Sequence, residues 1–155
     1  MITFRVAKNE DCEVMYNVHV DSIKYYCSDF YSQESITAWI ELKKPEDYAN
    51  NSSNIYIVAQ EDDEIVGLGL LNINKKSIDS LYLKPQMAKR GIGKELLLQL
   101  EDLARKNNIN ELKLSATLNS TTFYHRMGYI GDTLSSHRLS SGITLDCVEM
   151  TKKLM

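Results

Sequence analysis

The chain of 155 residues is 43% hydrophobic and 25% charged, which is ordinary for a globular protein and predicts one domain over residues 1–155. Its formal net charge of -3 and pI near 5.6 give no general attraction to nucleic acid or to a membrane surface, so neither is expected as a partner. Residues 1–6 do not resemble a signal peptide, and no stretch approaches the roughly 18 apolar residues of a membrane span. A cytoplasmic protein is therefore expected.

The chain has three cysteines, Cys12, Cys27 and Cys147. They are odd in number and widely separated, they form no CxxC pair, and no histidine lies near them in sequence at metal-ligand spacing. We expect them to be reduced and mostly packed, and we expect no metal site.

The first half of the chain reads as a strand, two helices and three further strands. Residues 2–6 alternate like an edge strand, and a helix then runs to about Tyr26 with His19 on its apolar face. A second helix begins at the N-cap Ser32 and stops before Pro45. Strands are predicted over 54–60, 65–71 and 78–83.

The strand over 65–71 is apolar on both faces, which is typical of a sheet covered by helices on both sides. Its glycines indicate close approach by another element.

The second half begins with an amphipathic helix from Gly91 to about Asn107, on which Glu101 and Arg105 are predicted to form an exposed i,i+4 pair. A strand over 111–116, a short helix over 120–127 and a closing strand over 144–152 follow. No helix or strand is predicted over residues 129–143.

The strongest chemical signal is the order strand, loop, glycine-rich turn and helix around Gly91-Ile92-Gly93. Glycine lets backbone amides approach an anion, and each amide bond to a phosphate oxygen contributes about 1.5–3 kcal/mol, against roughly 0.3–1 kcal/mol for the helix dipole. Lys89 and Arg90 add positive charge. An ordinary solvated helix start is the alternative.

Neither established nucleotide loop fits this turn. GxxxxGK[ST] is absent, and Leu96 stands where the third glycine of GxGxxG would be. A nucleoside triphosphate is not expected.

Three segments in this order resemble motifs of the GNAT superfamily of N-acetyltransferases: residues 81–85 (LYLKP), 90–93 (RGIG) and 123–129 (FYHRMGY). The resemblance spans nearly the whole chain, and Tyr31-Ser32 with Ile36 and Trp39 is similar to the small bacterial YafP-like branch. It implies an α/β (α+β) fold in which a mixed, mainly antiparallel central sheet has helices on both faces.

The resemblance also implies an activity. It predicts an enzyme that uses acetyl-CoA (coenzyme A) as co-substrate, without a metal, and acetylates an amine on a small molecule, a lysine or an N-terminus. Homodimers are common in the family, so one is possible here.

The family binds the coenzyme through a strand, a loop and an asparagine. The strand separates from the next strand of the sheet and pairs its exposed backbone with the pantetheine arm. The loop binds the pyrophosphate, and the asparagine approaches the coenzyme. By resemblance, the residues that take these roles are Leu81, Tyr82 and Leu83 in the strand, Ala88, Lys89, Arg90, Gly91, Ile92, Gly93 and Lys94 in the loop, and Asn119. Asn119 equally suits a cap of the helix that follows it.

The loop departs from the family pattern Q/R-x-x-G-x-G/A at one position. Ala88 stands where glutamine or arginine is usual, which removes one side-chain donor. We expect weaker coenzyme binding but not its loss, because backbone amides supply most of the phosphate contacts in the family.

Tyr124 stands four residues before Gly128, where the family places a tyrosine beside the departing sulfur as general acid. A thiolate with an ordinary pKa near 8.5 accepts a proton readily from a positioned hydroxyl. From the residues alone, Tyr124 reads as a core aromatic packed with Phe123 and Met127.

The family reaction is direct attack of a neutral amine on the thioester, so the acceptor ammonium must first lose a proton. Some relatives use a glutamate on the central strand as the base, and Ser77 stands at the matching position. Asp79, two residues further and on the same face, and His19 are the candidate bases. A surface carboxylate and a core histidine are their respective alternatives.

Two readings from other classes remain open. The change at Ala88 and the missing glutamate are compatible with a non-catalytic acyl-CoA sensor that kept the loop and lost turnover. A protein-interaction domain, in which the glycines only form a tight helix entry, leaves the match around Tyr124 unexplained.

Overall fold

A computed structural model describes residues 1–154, which form seven strands and four α-helices. The strands are β1 (Ile2–Val6), β2 (Asn54–Glu61), β3 (Glu64–Asn72), β4 (Ser77–Leu83), β5 (Glu111–Thr117), β6 (Ile130–Arg138) and β7 (Thr144–Lys153). The helices are α1 (Cys12–Tyr26), α2 (Gln33–Glu41), α3 (Ile92–Lys106) and α4 (Thr121–Arg126). Short 3-10 turns cover Asn9–Asp11, Pro45–Tyr48 and Pro85–Met87.

All seven strands belong to one sheet in the order β1-β2-β3-β4-β5-β7-β6. Every neighbouring pair is antiparallel except β4 and β5, which are parallel. The predicted mixed, mainly antiparallel sheet is confirmed, and β1 is an edge strand as expected.

Strand β3 is buried on both faces because helices cover both sides of the sheet. Leu68 packs in one cluster with Met15 of α1, whereas Leu71 packs in another with Leu100 of α3. A Cβ at Gly69 would lie only 2.6 Å from Cδ1 of Leu100, so this glycine lets α3 approach the strand, as its sequence indicated.

Strand β6 was absent from the sequence prediction, which is therefore wrong over Ile130–Arg138. The strand lies at the sheet edge beyond β7 and is largely exposed, so it lacks the apolar alternation of a half-buried strand. Its pairing with β7 is also irregular between Ile130 and Thr133, where Gly131 has φ +144°.

The predicted exposed pair of Glu101 and Arg105 is wrong as well. Glu101 is 1% exposed, and its carboxylate accepts bonds from Lys152 Nζ at 3.0 Å and Tyr129 Oη at 2.8 Å. Arg105 instead pairs with Asp102. A charged residue on a helix predicted contact with solvent, but β7 supplies a partly buried cation, Lys152, that lies 51 residues away in sequence.

All three cysteines are free thiols, in agreement with the sequence analysis. Within residues 1–154, no helix combines the length and apolarity needed to cross a bilayer.

Candidate active site

The central feature of the site is a split between β4 and β5. The two strands pair only at Ser77 with Lys113 and at Ile78 with Leu114, after which they diverge. A register shift in the β3–β4 ladder places Asp79 as the extra residue of a β-bulge just where the split begins. Bulges bend a strand and redirect its side chains, so this one accounts for the separation.

The splayed part of β4 exposes backbone hydrogen-bonding groups to the split. Lys84 donates its amide to the carbonyl of Val66 on β3 at 2.8 Å, and alternate residues of a strand share one edge. The amides and carbonyls of Leu81 and Leu83 therefore face away from β3, toward the gap. An extended ligand arm could pair with them as a missing strand would.

A cleft of about 570 Å³ occupies the split. It is lined by residues of β4 and β5, by residues of the glycine loop, and by Asn119, Phe123, Tyr124 and Arg126. The predicted strand, loop and tyrosine are thus brought to one cavity.

The glycine loop presents free amides at its end of the cleft. Gly91 is the N-cap of α3 with φ +79°, and the first helical hydrogen bond runs from the amide of Glu95 to its carbonyl. The amides of Ile92, Gly93 and Lys94 precede that bond and have no helical acceptor. Such a helix start binds phosphate groups.

The loop residues contribute unequally to the cleft. Ala88, Lys89, Gly91, Gly93 and Lys94 line it. Two others do not.

Arg90 is one of the loop residues that point elsewhere: its guanidinium pairs with Glu61 of β2 at 2.6 Å. Ile92 packs in the core with Ala59 and Val66. The side chains of Arg90 and Ile92 therefore do not face the cleft, and Arg126, which sequence reasoning missed, adds a positive charge there.

Tyr124 lies on the cleft wall with 7% of its surface exposed. Its ring packs at 5.1 Å from Phe123 and 5.6 Å from Tyr129, centroid to centroid. Burial raises the pKa of Tyr124 above its usual value, so its hydroxyl keeps its proton throughout the physiological range. Tyr124 thus packs in the core, as the residues alone predicted, and also lines the cleft, whereas its role as general acid stays a prediction.

Asn119 also lines the cleft. Its Oδ1 lies 3.5 Å from Sγ of Cys27, and the N-cap of α4 is Ser120. Asn119 is therefore not the cap of α4, and its approach to the coenzyme stays a prediction.

A second cavity of about 540 Å³ lies beside the cleft. The two share Ile78, Asp79, Tyr82, Leu114, Ser115 and Thr117, so they meet where β4 and β5 separate. Tyr31, Trp39 and Leu145 supply apolar walls, and the carboxylates are Asp79, Asp146 and Glu149. Most of these residues come from β7 and α2, so no local sequence motif links them.

Asp79 is exposed at the junction of the two cavities. Its carboxylate accepts hydrogen bonds from Ser77 Oγ at 2.6 Å and from Asn72 Nδ2 at 3.3 Å. These bonds confirm that Ser77 and Asp79 share one face of β4, and they fix the carboxylate in place.

His19 lies deeper than Asp79 and lines neither cavity. Its ring is 2% exposed, its Nδ1 lies 2.6 Å from the hydroxyl of Tyr48, and it packs 4.0 Å from the ring of Tyr82. Burial, and to a lesser degree the charge of Lys43, lowers the pKa of His19 to about 3. The ring is therefore neutral at physiological pH.

A split parallel strand pair, an anion-binding helix start and a buried tyrosine define a cleft for a long phosphate-bearing ligand. The family described as "Acetyltransferase (GNAT) domain" matches residues 27–154. The chain belongs to this GNAT acetyltransferase family.

The chain is similar to one protein of Thermoplasma acidophilum in sequence and to one of Rhodopseudomonas palustris in structure. A spermidine N(1)-acetyltransferase of Thermoplasma acidophilum is 32% identical over 141 residues, which cover 83% of this chain and 88% of the relative. A GCN5-related N-acetyltransferase of Rhodopseudomonas palustris superposes with a TM-score of 0.90 at 28% identity, over 98% of this chain and 95% of that one.

A third comparison shows a relative with a bound ligand. The PaiA N-acetyltransferase of Thermoplasma acidophilum, solved in complex with coenzyme A, superposes with a TM-score of 0.80 at 30% identity over 99% of both chains.

Proposed function

We propose that this protein transfers the acetyl group of acetyl-CoA to a primary amine of an aliphatic polyamine by direct attack on the thioester. The observation that carries the proposal is the meeting of two cavities at the β4–β5 split, with Tyr124 on the coenzyme side and Asp79 at the junction. The coenzyme-bound relative supports the first cavity as the coenzyme site.

In this proposal the pyrophosphate binds the free amides of Ile92, Gly93 and Lys94, with Lys89 and Lys94 nearby for charge. The pantetheine arm pairs with the backbone of Leu81 and Leu83. The thioester then lies toward the junction of the cavities, and Tyr124 lines the coenzyme cleft.

The reaction requires three changes at the junction. The neutral amine nitrogen attacks the thioester carbonyl carbon, the carbon–sulfur bond breaks, and the nitrogen gives up one proton to water as the amide forms. Tyr124 donates a hydrogen bond to the departing sulfur and passes its proton to it, so the coenzyme leaves as the thiol. Because burial raises the pKa of Tyr124, its phenolate is costly and takes a proton back through water.

In this proposal Asp79 binds the acceptor ammonium and does not act as the base that deprotonates it. An alkylammonium has a pKa near 10.4, far above that of any ordinary carboxylate, so a carboxylate binds it better than it deprotonates it. We propose that Asp79 holds the acceptor ammonium at the junction while water takes the proton. His19 lines neither cavity, and its ring is neutral and buried, so we assign it a packing role.

Two observations support a polyamine as acceptor. The second cavity combines aromatic walls with the carboxylates of Asp79, Asp146 and Glu149, which suits a flexible polycation. The Thermoplasma relative is named for spermidine. Lys43, Lys75 and Lys113 also line the cavity, so its summed charge does not select a polycation. In this proposal the polycation is selected by the position of Asp79 at the junction.

The test is coenzyme release from acetyl-CoA with a panel of spermidine, spermine, a lysine peptide and an aromatic monoamine. The proposal predicts that coenzyme A is released faster with spermidine and spermine than with the lysine peptide or the aromatic monoamine. A protein that binds acetyl-CoA tightly and releases no coenzyme with any acceptor would instead be an acyl-CoA sensor, the alternative that Ala88 keeps open.

A further inference from the structure

Three potential metal ligands converge on the wall of the acceptor cavity: His137 of β6 with Cys147 and Glu149 of β7. Their ligand atoms all lie within 4.8 Å of one another. The sequence predicted no metal site because His137 and Cys147 are not at metal-ligand spacing. The unpredicted strand β6 brings them together across the β6–β7 pair.

We propose that His137, Cys147 and Glu149 form a binding site for a divalent transition metal, with zinc as the best match. Imidazole nitrogen, thiolate and carboxylate are the donor types that zinc prefers. With zinc bond lengths of about 2.0–2.3 Å, the edges of a tetrahedron are roughly 3.3–3.8 Å long. The observed edges from Glu149 Oε1 are 3.7 Å to His137 Nε2 and 3.6 Å to Cys147 Sγ.

The scaffold holds these ligands on two adjacent strands of one sheet, β6 and β7, with β5 on the other side of β7. Cys147 and Glu149 are two residues apart on β7 and therefore point to the same face, and Leu145, the partner of His137 in the ladder, continues that row. Ser115 on β5 lies opposite Glu149, and its hydroxyl is 2.9 Å from both carboxylate oxygens and 3.2 Å from His137 Nε2. A hydroxyl in this place orients the ligands before the metal arrives.

Occupation would leave the site electrically neutral. On binding, the thiol of Cys147 gives its proton to solvent, so one thiolate, one carboxylate and a neutral imidazole offset the charge of a divalent ion. The side chains of His137 and Glu149 are 58% and 44% exposed, which leaves a path for the metal to enter. Three protein ligands leave a fourth position for water.

Occupation of this site would affect the acceptor cavity, an inference that rests on the proposed function. Metal binding engages Glu149, one of the three cavity carboxylates, and removes its negative charge from the cavity. The bound metal should therefore weaken the binding of a cationic acceptor and leave the coenzyme cleft unchanged.

The experiment is a titration of chelator-treated full-length protein with Co²⁺, whose visible and near-ultraviolet absorption reports tetrahedral geometry and thiolate coordination. We expect one equivalent of Co²⁺ to bind and to produce both the visible and the near-ultraviolet absorption bands. Zn²⁺ should then displace the Co²⁺. Cys147→Ser should abolish the thiolate band, and His137→Gln, at an exposed position that leaves the core intact, should weaken binding at least tenfold. Matched controls are Cys12→Ser and His125→Gln, which should titrate like wild type.

The outcomes separate the site from its effect. Absence of the thiolate band in wild type, or an equal band in Cys147→Ser, overturns the site whether or not the protein has transferase activity. If the site is present, zinc should raise the KM for the amine without changing that for acetyl-CoA. Equal KM values with and without zinc would overturn the regulatory effect.

Discussion

The hydroxyl of Ser77 donates a 2.6 Å hydrogen bond to Oδ1 of Asp79. By the resemblance to the GNAT family, Ser77 stands where some relatives are expected to carry a glutamate. Asp79 is the extra residue of the bulge at the start of the β4–β5 split, and Ser77 and Asn72 hold its carboxylate.

Asp79→Asn should raise the KM for a polyamine acceptor about tenfold, because a charge-assisted bond to an ammonium contributes roughly 1.5–3 kcal/mol and the amide retains part of it. The KM for acetyl-CoA should stay within twofold. Steady-state kinetics check this, with Asp132→Asn as control, since that carboxylate is 90% exposed on β6. An unchanged amine KM would remove Asp79 from acceptor binding.

Ala88→Gln should tighten acetyl-CoA binding three- to tenfold, because it adds a side-chain donor where Ala88 lines the phosphate end of the cleft. Calorimetric titration measures the effect. Ala88→Leu adds similar bulk without a donor and should not tighten binding. Equal affinities of wild type and Ala88→Gln would show that the backbone amides already satisfy the phosphates.

The buried His19 should make the protein less stable in mild acid. Its pKa is about 3 when folded and near 6.5 when unfolded, so between these values the unfolded chain binds the extra proton and the free energy of unfolding falls as pH falls. From pH 7 to pH 5 this contributes a loss of about 2 kcal/mol. Denaturant unfolding of His19→Gln at both pH values should show a loss smaller by that amount; equal losses would contradict the assignment.

Lys152→Met should destabilise the fold by about 2–3 kcal/mol, because it leaves the carboxylate of Glu101 buried without its cation. The effect is below that of a fully buried pair, since the Lys152 side chain is 22% exposed. The double variant Glu101→Gln with Lys152→Met should recover most of the loss, since glutamine still accepts from Tyr129. Urea unfolding measures both, and additive losses would argue against the pair.

Most of the architecture was predictable because periodicity and caps are local. The N-cap Ser32 does accept a bond from the amide of Ser35, and α3 begins at the predicted glycines. The glycine loop and Tyr124 lie on continuous motifs, so their shared cleft followed from the family resemblance.

The missed features depend on contacts between distant strands. Strand β6 is stabilised by pairing with β7 rather than by a buried face of its own. The burial of Glu101 by Lys152 and the approach of His137 to Cys147 follow from that same part of the sheet, and no local pattern encodes them. The acceptor cavity escaped prediction for this reason.

The most direct test of the central claim is the rate of N-acetylated spermidine formation by wild type and Tyr124→Phe, measured by mass spectrometry of the product at saturating acetyl-CoA. Wild type should form the product, and the variant should lose about 100-fold in kcat, the lower end of the usual contribution of a general acid, with unchanged acetyl-CoA affinity. Tyr25→Phe, at a tyrosine that is 61% exposed, should match wild type. Equal kcat values for wild type and Tyr124→Phe, or no acetylated amine from wild type, would contradict the account.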